Sequence, residues 1–127
     1  MKLRRPTVDP VAVALEAAGL DSDTASRLAS QGTAMRVPAG VELCREGEFG
    51  RQAFLLVSGH AVVRYAGTER ALEQGEVFGE LAVLNPTRRR NATVETTEPS
   101  TVLVFDVRTF RHLAGELSEL LAPQRAA

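Results

Sequence analysis

The spacing of apolar residues changes twice along the chain and divides it into three regions. Over residues 9–34 apolar side chains recur three or four positions apart, which predicts two short helices, the second beginning within residues 21–23. Over residues 35–106 short β-branched or aliphatic runs are interrupted by Gly, Pro and Asn, as in a β-sandwich or barrel. Over residues 107–121 one helical face is apolar, which predicts a C-terminal amphipathic helix lying against the β-region. That face carries Phe110, Leu113, Ala114, Leu117, Leu120 and Leu121.

Seven candidate strands fall within the middle region. A short turn at residues 66–68 would join the fourth and the fifth of them as a hairpin. The strands cover residues 35–37, 41–44, 53–57, 61–65, 70–73, 91–97 and 101–106. The chain is therefore expected to be mainly β, with helices before and after the strands.

Length and composition predict one compact domain covering residues 1–127. A chain of 127 residues, 44% of them hydrophobic, can bury about two-thirds of the surface that its unfolded form exposes. The formal net charge of -1 creates no global field toward nucleic acid or an acidic membrane, so an anion site must be local. No apolar stretch approaches the roughly 20 residues of a membrane span, and the lone Cys44 cannot form an internal disulfide. The cytoplasm is the expected location.

The densest chemistry lies in residues 78–94, FGELAVLNPTRRRNATV. Gly79 has no Cβ, so the backbone can approach a ligand closely at this position. The N–H groups of Leu81 and Ala82, in a following helical turn, would point at an anion. The segment therefore predicts a site for an anionic group.

Two charged residues complete this candidate site. Glu80 would repel an anion unless it faces hydroxyl donors, which indicates an acceptor for a ribose hydroxyl. Arg90 would supply a charge-assisted partner, able to bond in a bidentate geometry, for a phosphate. Taken alone, Glu80 also fits a helix-start carboxylate, and the arginines at 88–90 also fit a solvated loop. Together the two residues predict a sugar-phosphate site, with Arg88 and Arg89 facing solvent.

This segment resembles the phosphate-binding cassette of the cyclic nucleotide-binding domain family. The family pattern is Phe-Gly-Glu, a helical turn of small and aliphatic residues, a loop, and then Arg-x-Ala-Thr/Ser-Val. The corresponding positions are 78–80, 81–84, 85–89 and 90–94. Further family motifs stand in the family's order upstream, at residues 38–40, 46–50, 54–59 and 75–76. The resemblance extends over roughly residues 34–107.

The resemblance implies the fold and a function. The fold class is α+β, mainly β: an antiparallel, jelly-roll-like β-roll over about residues 35–106, with N-terminal helices over about 9–34, a cassette helix, and a C-terminal helix over about 107–121. The implied function is a sensor or regulatory module that binds a cyclic nucleotide, cAMP before cGMP. It would signal through movement of the C-terminal helix, against which Leu84 would pack. No metal is implied.

The resemblance also implies which residues touch the ligand. They are Phe78, Gly79, Glu80, Leu81, Ala82, Arg90, Asn91, Ala92 and Thr93, with Val63 and Leu72 lining the base pocket. Val63 and Leu72 equally fit ordinary core positions, and Thr93 equally fits a strand. Asn91 follows the cassette arginine, where a threonine can favour guanine in the family. An asparagine can donate and accept, so it could bond either purine or neither.

The chain departs from the family pattern at two places that bear on partners. Arg51 stands where many members carry an acidic residue, and the sequence ends soon after the C-terminal helix, whereas members often cover the base with a further helix. The base would then be partly exposed or covered by a partner. The expected partners are the cyclic nucleotide and a second copy or another protein bound through the C-terminal helix. Neither nucleic acid nor a membrane is expected.

Other function classes fit the sequence less well. A catalytic metal site needs clustered ligands, and the two histidines, His60 and His112, lie far apart, so the protein is not expected to be an enzyme. The helix-turn-helix that related bacterial regulators carry after this domain is not in the sequence. A β-roll scaffold that binds no ligand remains an alternative, as does a sensor fragment of a larger regulator, channel or kinase. The presence of both Glu80 and Arg90 argues against the scaffold.

Overall fold

Two capped helices open the part of the chain that the computed structural model describes, residues 9–85 and 87–116. The first, α1 (Pro10–Ala17), begins at a proline, and the Asp9 side chain accepts a hydrogen bond from the N–H of Val11. The second, α2 (Ser22–Gln31), begins where Asp21 accepts bonds from the N–H and the hydroxyl of Thr24, both at 2.8 Å. The two predicted N-terminal helices are therefore confirmed.

Eight strands follow within the described residues and pair into two antiparallel sheets. They are β1 (Thr33–Val37), β2 (Glu42–Cys44), β3 (Gln52–Ser58), β4 (Ala61–Tyr65), β5 (Thr68–Ala71), β6 (Val77–Phe78), β7 (Thr93–Thr96) and β8 (Ser100–Asp106). One sheet has the order β1-β8-β3-β6 and the other β2-β7-β4-β5. The predicted fold class, a mainly β antiparallel roll with flanking helices, is confirmed.

The strand boundaries differ from the predicted ones by one or two residues in every predicted strand except β4. The hairpin turn has two residues, Ala66 and Gly67, both with positive φ, so β5 begins at position 68 instead of 70. The predicted strand over residues 91–97 shortens to β7. β6 was not predicted, because two residues are too short to show a period and are recognised only by their pairing with β3.

Strand β3 separates two hydrophobic clusters. Its side chains at Ala53, Leu55 and Val57 pack toward the helices, while those at Phe54 and Leu56 pack into the interior of the roll. This alternation follows from the two-residue period of a strand. The helix-side cluster also holds Leu15, Leu28, Val83, Leu103, Phe105, Phe110 and Leu113; the roll cluster also holds Cys44, Val63, Leu72, Phe78, Ala92, Val94 and Val102.

Two short helices complete the described chain: α3 (Glu80–Leu84) and α4 (Val107–Glu116). Val83 of α3 is buried with Phe110 and Leu113 of α4, whereas Leu84 is 44% exposed. The prediction that Leu84 packs on the C-terminal helix is therefore wrong, and Val83 takes that place. The rest of the predicted helix, residues 117–121, lies outside the described residues.

A search of the described helices for length and apolar character finds none that could cross a membrane.

Candidate functional site

The predicted anion segment begins where β6 passes into α3. Phe78 is fully buried and stacks on Phe54 of β3, with ring centroids 5.2 Å apart. Gly79 has φ +79°, a backbone conformation that L side chains rarely adopt, and it turns the chain into α3. A Cβ at this position would also lie 2.5 Å from Nη1 of Arg90. The glycine is therefore required both by the turn and by the neighbouring guanidinium.

Arg90 is buried, with 8% of its surface exposed, and its guanidinium is held by main-chain carbonyls. Nη1 donates to the carbonyl of Gly79 at 2.9 Å, and Nη2 donates to the carbonyl of Gln52 at 2.9 Å. Cζ lies 5.8 Å from the centroid of the Phe54 ring. Because the two carbonyls belong to different segments, their positions fix both the reach and the orientation of the side chain.

Glu80 and Arg90 both influence the pKa of the buried Cys44 thiol. Glu80 is 3% exposed and Cys44 is 2% exposed. Burial raises the pKa of Cys44 from 9.0 to about 11; the positive charge of Arg90 opposes this shift and the negative charge of Glu80 adds to it. Both charged side chains thus lie close enough to Cys44 to influence the pKa of its thiol.

Two cavities meet at the loop between β2 and β3, residues 45–51. The first, of about 410 Å³, has Arg90, Cys44 and Phe54 in its wall. The second, of about 430 Å³, is lined by side chains of α3 and α4, among them Ala82. Gly50 and Arg51 line both cavities, and Glu80 lines neither of them. The loop therefore lies between Arg90 and the helices.

The other predicted ligand residues lie in three different settings. Ala92, Val63 and Leu72 are buried in the roll cluster, with Cys44 and Phe54 as neighbours. Thr93 accepts a hydrogen bond at its hydroxyl from the N–H of Glu46, at 3.1 Å.

Asn91 and Leu81 differ from these. Asn91 is partly exposed, but its Oδ1 is buried and has no hydrogen-bond partner among the described residues. Leu81 is a main-chain member of α3, and its side chain is outside the described part. The structure thus brings Gly79, Ala92 and Arg90 to one end of the roll, near Glu80.

No sequence pattern indicated the carbonyl partners of Arg90. A main-chain carbonyl has the same chemistry at every residue, so the contribution of Gln52 leaves no trace in the residue types. The glycines at 47 and 50 marked the loop, but only as turn positions. Arg89 also contacts this loop. Its Cζ lies 4.6 Å from the centroid of the exposed Phe49 ring, and its guanidinium donates to the carbonyl of Gly47 at 3.0 Å.

Metal ligands do not gather in residues 9–85 and 87–116: no three His, Cys, Asp or Glu side chains there could hold an ion. His60 lies on the surface, where its Nδ1 is 2.8 Å from Oε1 of Glu98.

Three comparisons with known proteins bear on this site. A family model described as "Cyclic nucleotide-binding domain" matches residues 34–116. The Pycsar effector protein PaPycTIR of Pseudomonas aeruginosa is 35% identical over 95 residues, which is 74% of this chain and 31% of the effector. The cAMP-dependent protein kinase regulatory subunit of Schizosaccharomyces pombe is 36% identical over 91 residues, which is 70% of this chain and 22% of the subunit.

A solved structure has the same fold. PKAR CBD2 bound to Sp-2Cl-cAMPS superposes with a TM-score of 0.71 at 24% identity, covering 87% of this chain and 77% of that one. The chain spans less than a third of the length of the two curated relatives. Since the family model covers residues 34–116, which hold both sheets, α3, α4 and the Glu80 and Arg90 pair, the chain belongs to the cyclic nucleotide-binding domain family.

Proposed function

We propose that this protein binds cyclic AMP through Glu80 and Arg90 and transmits binding from α3 to α4. One observation carries the proposal. Among the described residues, Glu80 and Arg90 are the charged side chains that the fold buries, at 3% and 8% exposure. The fold thus places one acidic and one basic side chain in an otherwise apolar interior, the setting in which a ligand site holds its few polar groups.

The two groups match the two ends of a cyclic nucleotide. A guanidinium has five N–H donors, and the carbonyls of Gly79 and Gln52 accept from two of them. Three donors remain for the oxygens of a cyclic phosphate, which carries one negative charge. In a 3′,5′-cyclic nucleotide the ribose keeps one free hydroxyl, at the 2′ position. Glu80 would accept its hydrogen bond, an arrangement that puts an uncharged donor beside the carboxylate.

The base would lie against the roll cluster. Val63 and Leu72 offer an apolar surface there, although each is also a core residue. The buried Oδ1 of Asn91 would accept from an exocyclic amino group, which adenine and guanine both carry. The preference for adenine draws support from the S. pombe relative, whose name states cAMP dependence.

The proposed output runs through the main chain of Gly79. Arg90 bonds the Gly79 carbonyl, which directly precedes α3, and Val83 of α3 is buried with Phe110 and Leu113 of α4. A ligand that binds better when Arg90 and α3 hold one arrangement would shift the population toward it and move α4. A second copy or a partner protein would recognise α4 in that position.

A thermal-shift titration tests the ligand. A ligand at 100 times its Kd stabilises the folded form by about 2.7 kcal/mol, which raises the Tm of a domain of this size by about 10 °C. Cyclic AMP is expected to raise Tm most, cyclic GMP less, and plain AMP little, because its extra charge and open phosphate fit the site poorly. The absence of any rise with either cyclic nucleotide would favour the scaffold alternative.

A 2′-deoxy analogue tests the role of Glu80. Cyclic AMP without its 2′ hydroxyl is expected to bind the wild type more than tenfold more weakly, because a hydrogen bond to a charged acceptor contributes about 1.5 to 3 kcal/mol. The Glu80→Ala variant should bind both ligands with the same affinity. Discrimination that persists in this variant would assign the hydroxyl to another residue.

A further inference from the structure

We propose that Gly50 is a positioning residue for Arg90: the missing side chain at position 50 leaves the space in which the guanidinium lies. The inference rests on the proposed function only in that ligand affinity is one of its two readouts. Gly50 belongs to the loop of residues 45–51, which holds the backbone of Arg90, and the next residue, Gln52, accepts a hydrogen bond from its guanidinium.

The loop first fixes the backbone of Arg90. The N–H of Arg90 donates to the carbonyl of Glu48 at 2.7 Å, and its carbonyl accepts from the N–H of Gly47 at 2.9 Å. Phe49 and Arg89 form a β-bridge beside them. Both main-chain groups of Arg90 are thus bound to one loop, so the root of the side chain has a defined position.

The guanidinium then lies between two glycines. A Cβ at Gly50 would lie 2.5 Å from Nε of Arg90 and closer still to Cζ and Nη2. A Cβ at Gly79 would reach Nη1 from the β6 to α3 turn. The two glycines differ in one respect: Gly79 has a positive φ, whereas Gly50 does not. The backbone at position 50 would therefore accept an alanine, and the guanidinium is what a Cβ there would meet.

This difference predicts that a methyl group added at position 50 would displace the Arg90 side chain and not the backbone. The atoms that it meets are the far end of a long side chain, which can move without a rearrangement of the backbone. Arg90 would leave its place, and its bonds to the carbonyls of Gly79 and Gln52 would be lost. A displaced guanidinium no longer has its donors arranged in advance for an anion, so affinity should fall. The two lost hydrogen bonds should also lower the stability of the ligand-free protein.

Calorimetric titration with cyclic AMP tests the first part. Gly50→Ala is expected to weaken binding at least tenfold in a protein that still folds, with a lowered Tm of the ligand-free form because two hydrogen bonds of Arg90 are lost. Gly32→Ala is the matched control, because its φ is also not positive but its Cβ would lie 2.8 Å from the buried ring of Phe105. That variant should lower Tm by several degrees and leave the affinity of the folded protein unchanged. Unchanged affinity in Gly50→Ala would overturn the inference.

A double variant separates positioning from simple obstruction. If Gly50 acts through Arg90, then Gly50→Ala should cause no further loss of affinity in an Arg90→Ala background. An equal loss in both backgrounds would mean that the methyl group blocks the ligand itself, which would also overturn the inference.

A ligand-free readout keeps the test independent of the proposed function. In nitrogen-15 NMR spectra the Nε–H signal of Arg90, assigned by its absence from Arg90→Ala, should exchange slowly with water in wild type and in Gly32→Ala. It should shift and exchange faster in Gly50→Ala. An unchanged signal in Gly50→Ala refutes the positioning role, whether or not the protein binds a nucleotide, whereas a wild type that binds no cyclic nucleotide refutes the proposed function alone.

Discussion

At the scale of single residues, Cys44 reports the electrostatics of the site. Its thiol is buried in the wall of the cavity that Arg90 lines, and a Cβ at Gly79 would lie 3.3 Å from its Sγ. Its pKa is raised to about 11, mainly by burial; the charge of Arg90 lowers the pKa and the charge of Glu80 raises it. The thiol is therefore neutral at physiological pH and adds no negative charge to the site.

The raised pKa of Cys44 predicts a pH dependence of stability. Above pH 9 the unfolded chain loses the thiol proton while the folded chain keeps it, so the folded state binds more protons and its stability falls as pH rises. The contribution is complete below pH 9 and is lost by about pH 11. It amounts to about 2 to 3 kcal/mol over this interval.

Urea unfolding at pH 8 and pH 10.5 measures this effect, with Cys44→Ala as the control. The wild type should lose more unfolding free energy over the interval than the variant, in which other groups still titrate but the thiol is absent. Equal losses in the two proteins would show that the thiol titrates normally.

At the scale of elements, the contact between α3 and α4 links the candidate site to the C-terminal helix. Val83 is 1% exposed and packs with Phe110 and Leu113, while the adjacent Leu84 is 44% exposed. Val83→Ala should therefore lower the unfolding free energy by about 1 to 3 kcal/mol, because it removes buried methyl groups and leaves a cavity. Leu84→Ala is the matched control and should change it by less than about 0.5 kcal/mol. Denaturant unfolding compares the two, and a larger effect at Leu84 would reverse this assignment.

The elements also show what the sequence could predict. β4 was predicted with its observed bounds, because its alternating apolar residues and the Ala66-Gly67 turn are local signals. β6 was missed, since two residues become a strand only through pairing with β3. The face of α3 was assigned to the wrong side chain because five residues do not define a periodic stripe, so the surrounding core decides which residue is buried.

The site was predicted unevenly for similar reasons. The charges of Glu80 and Arg90 and the missing side chain of Gly79 can be recognised from the residue types alone. The position of the Arg90 guanidinium depends on hydrogen bonds to the carbonyls of Gly79 and Gln52 and on the missing side chain at Gly50. These features arise where separate segments of the chain meet. The ligand contacts of these residues remain a prediction.

At the scale of the whole molecule, β3 divides one core from the other. The roll cluster on one side surrounds the candidate site, and the helix-side cluster on the other holds α1, α2 and α4. Proteins pack densely enough that a shift on one side of a strand is felt on the other. This arrangement is consistent with the proposed sensor, in which the ligand lies inside the roll and the response occurs among the helices. The two curated relatives are more than three times longer than the segment that aligns with this chain.

The most direct measurement is the affinity of cyclic AMP for wild type and for Arg90→Ala, determined by isothermal titration calorimetry. Removing a charge-assisted hydrogen bond worth about 1.5 to 3 kcal/mol should weaken binding more than tenfold. Arg88→Ala removes the same charge from an exposed position two residues away and should leave binding unchanged. Equal affinities of the wild type and Arg90→Ala would contradict the assignment of the buried guanidinium to the phosphate.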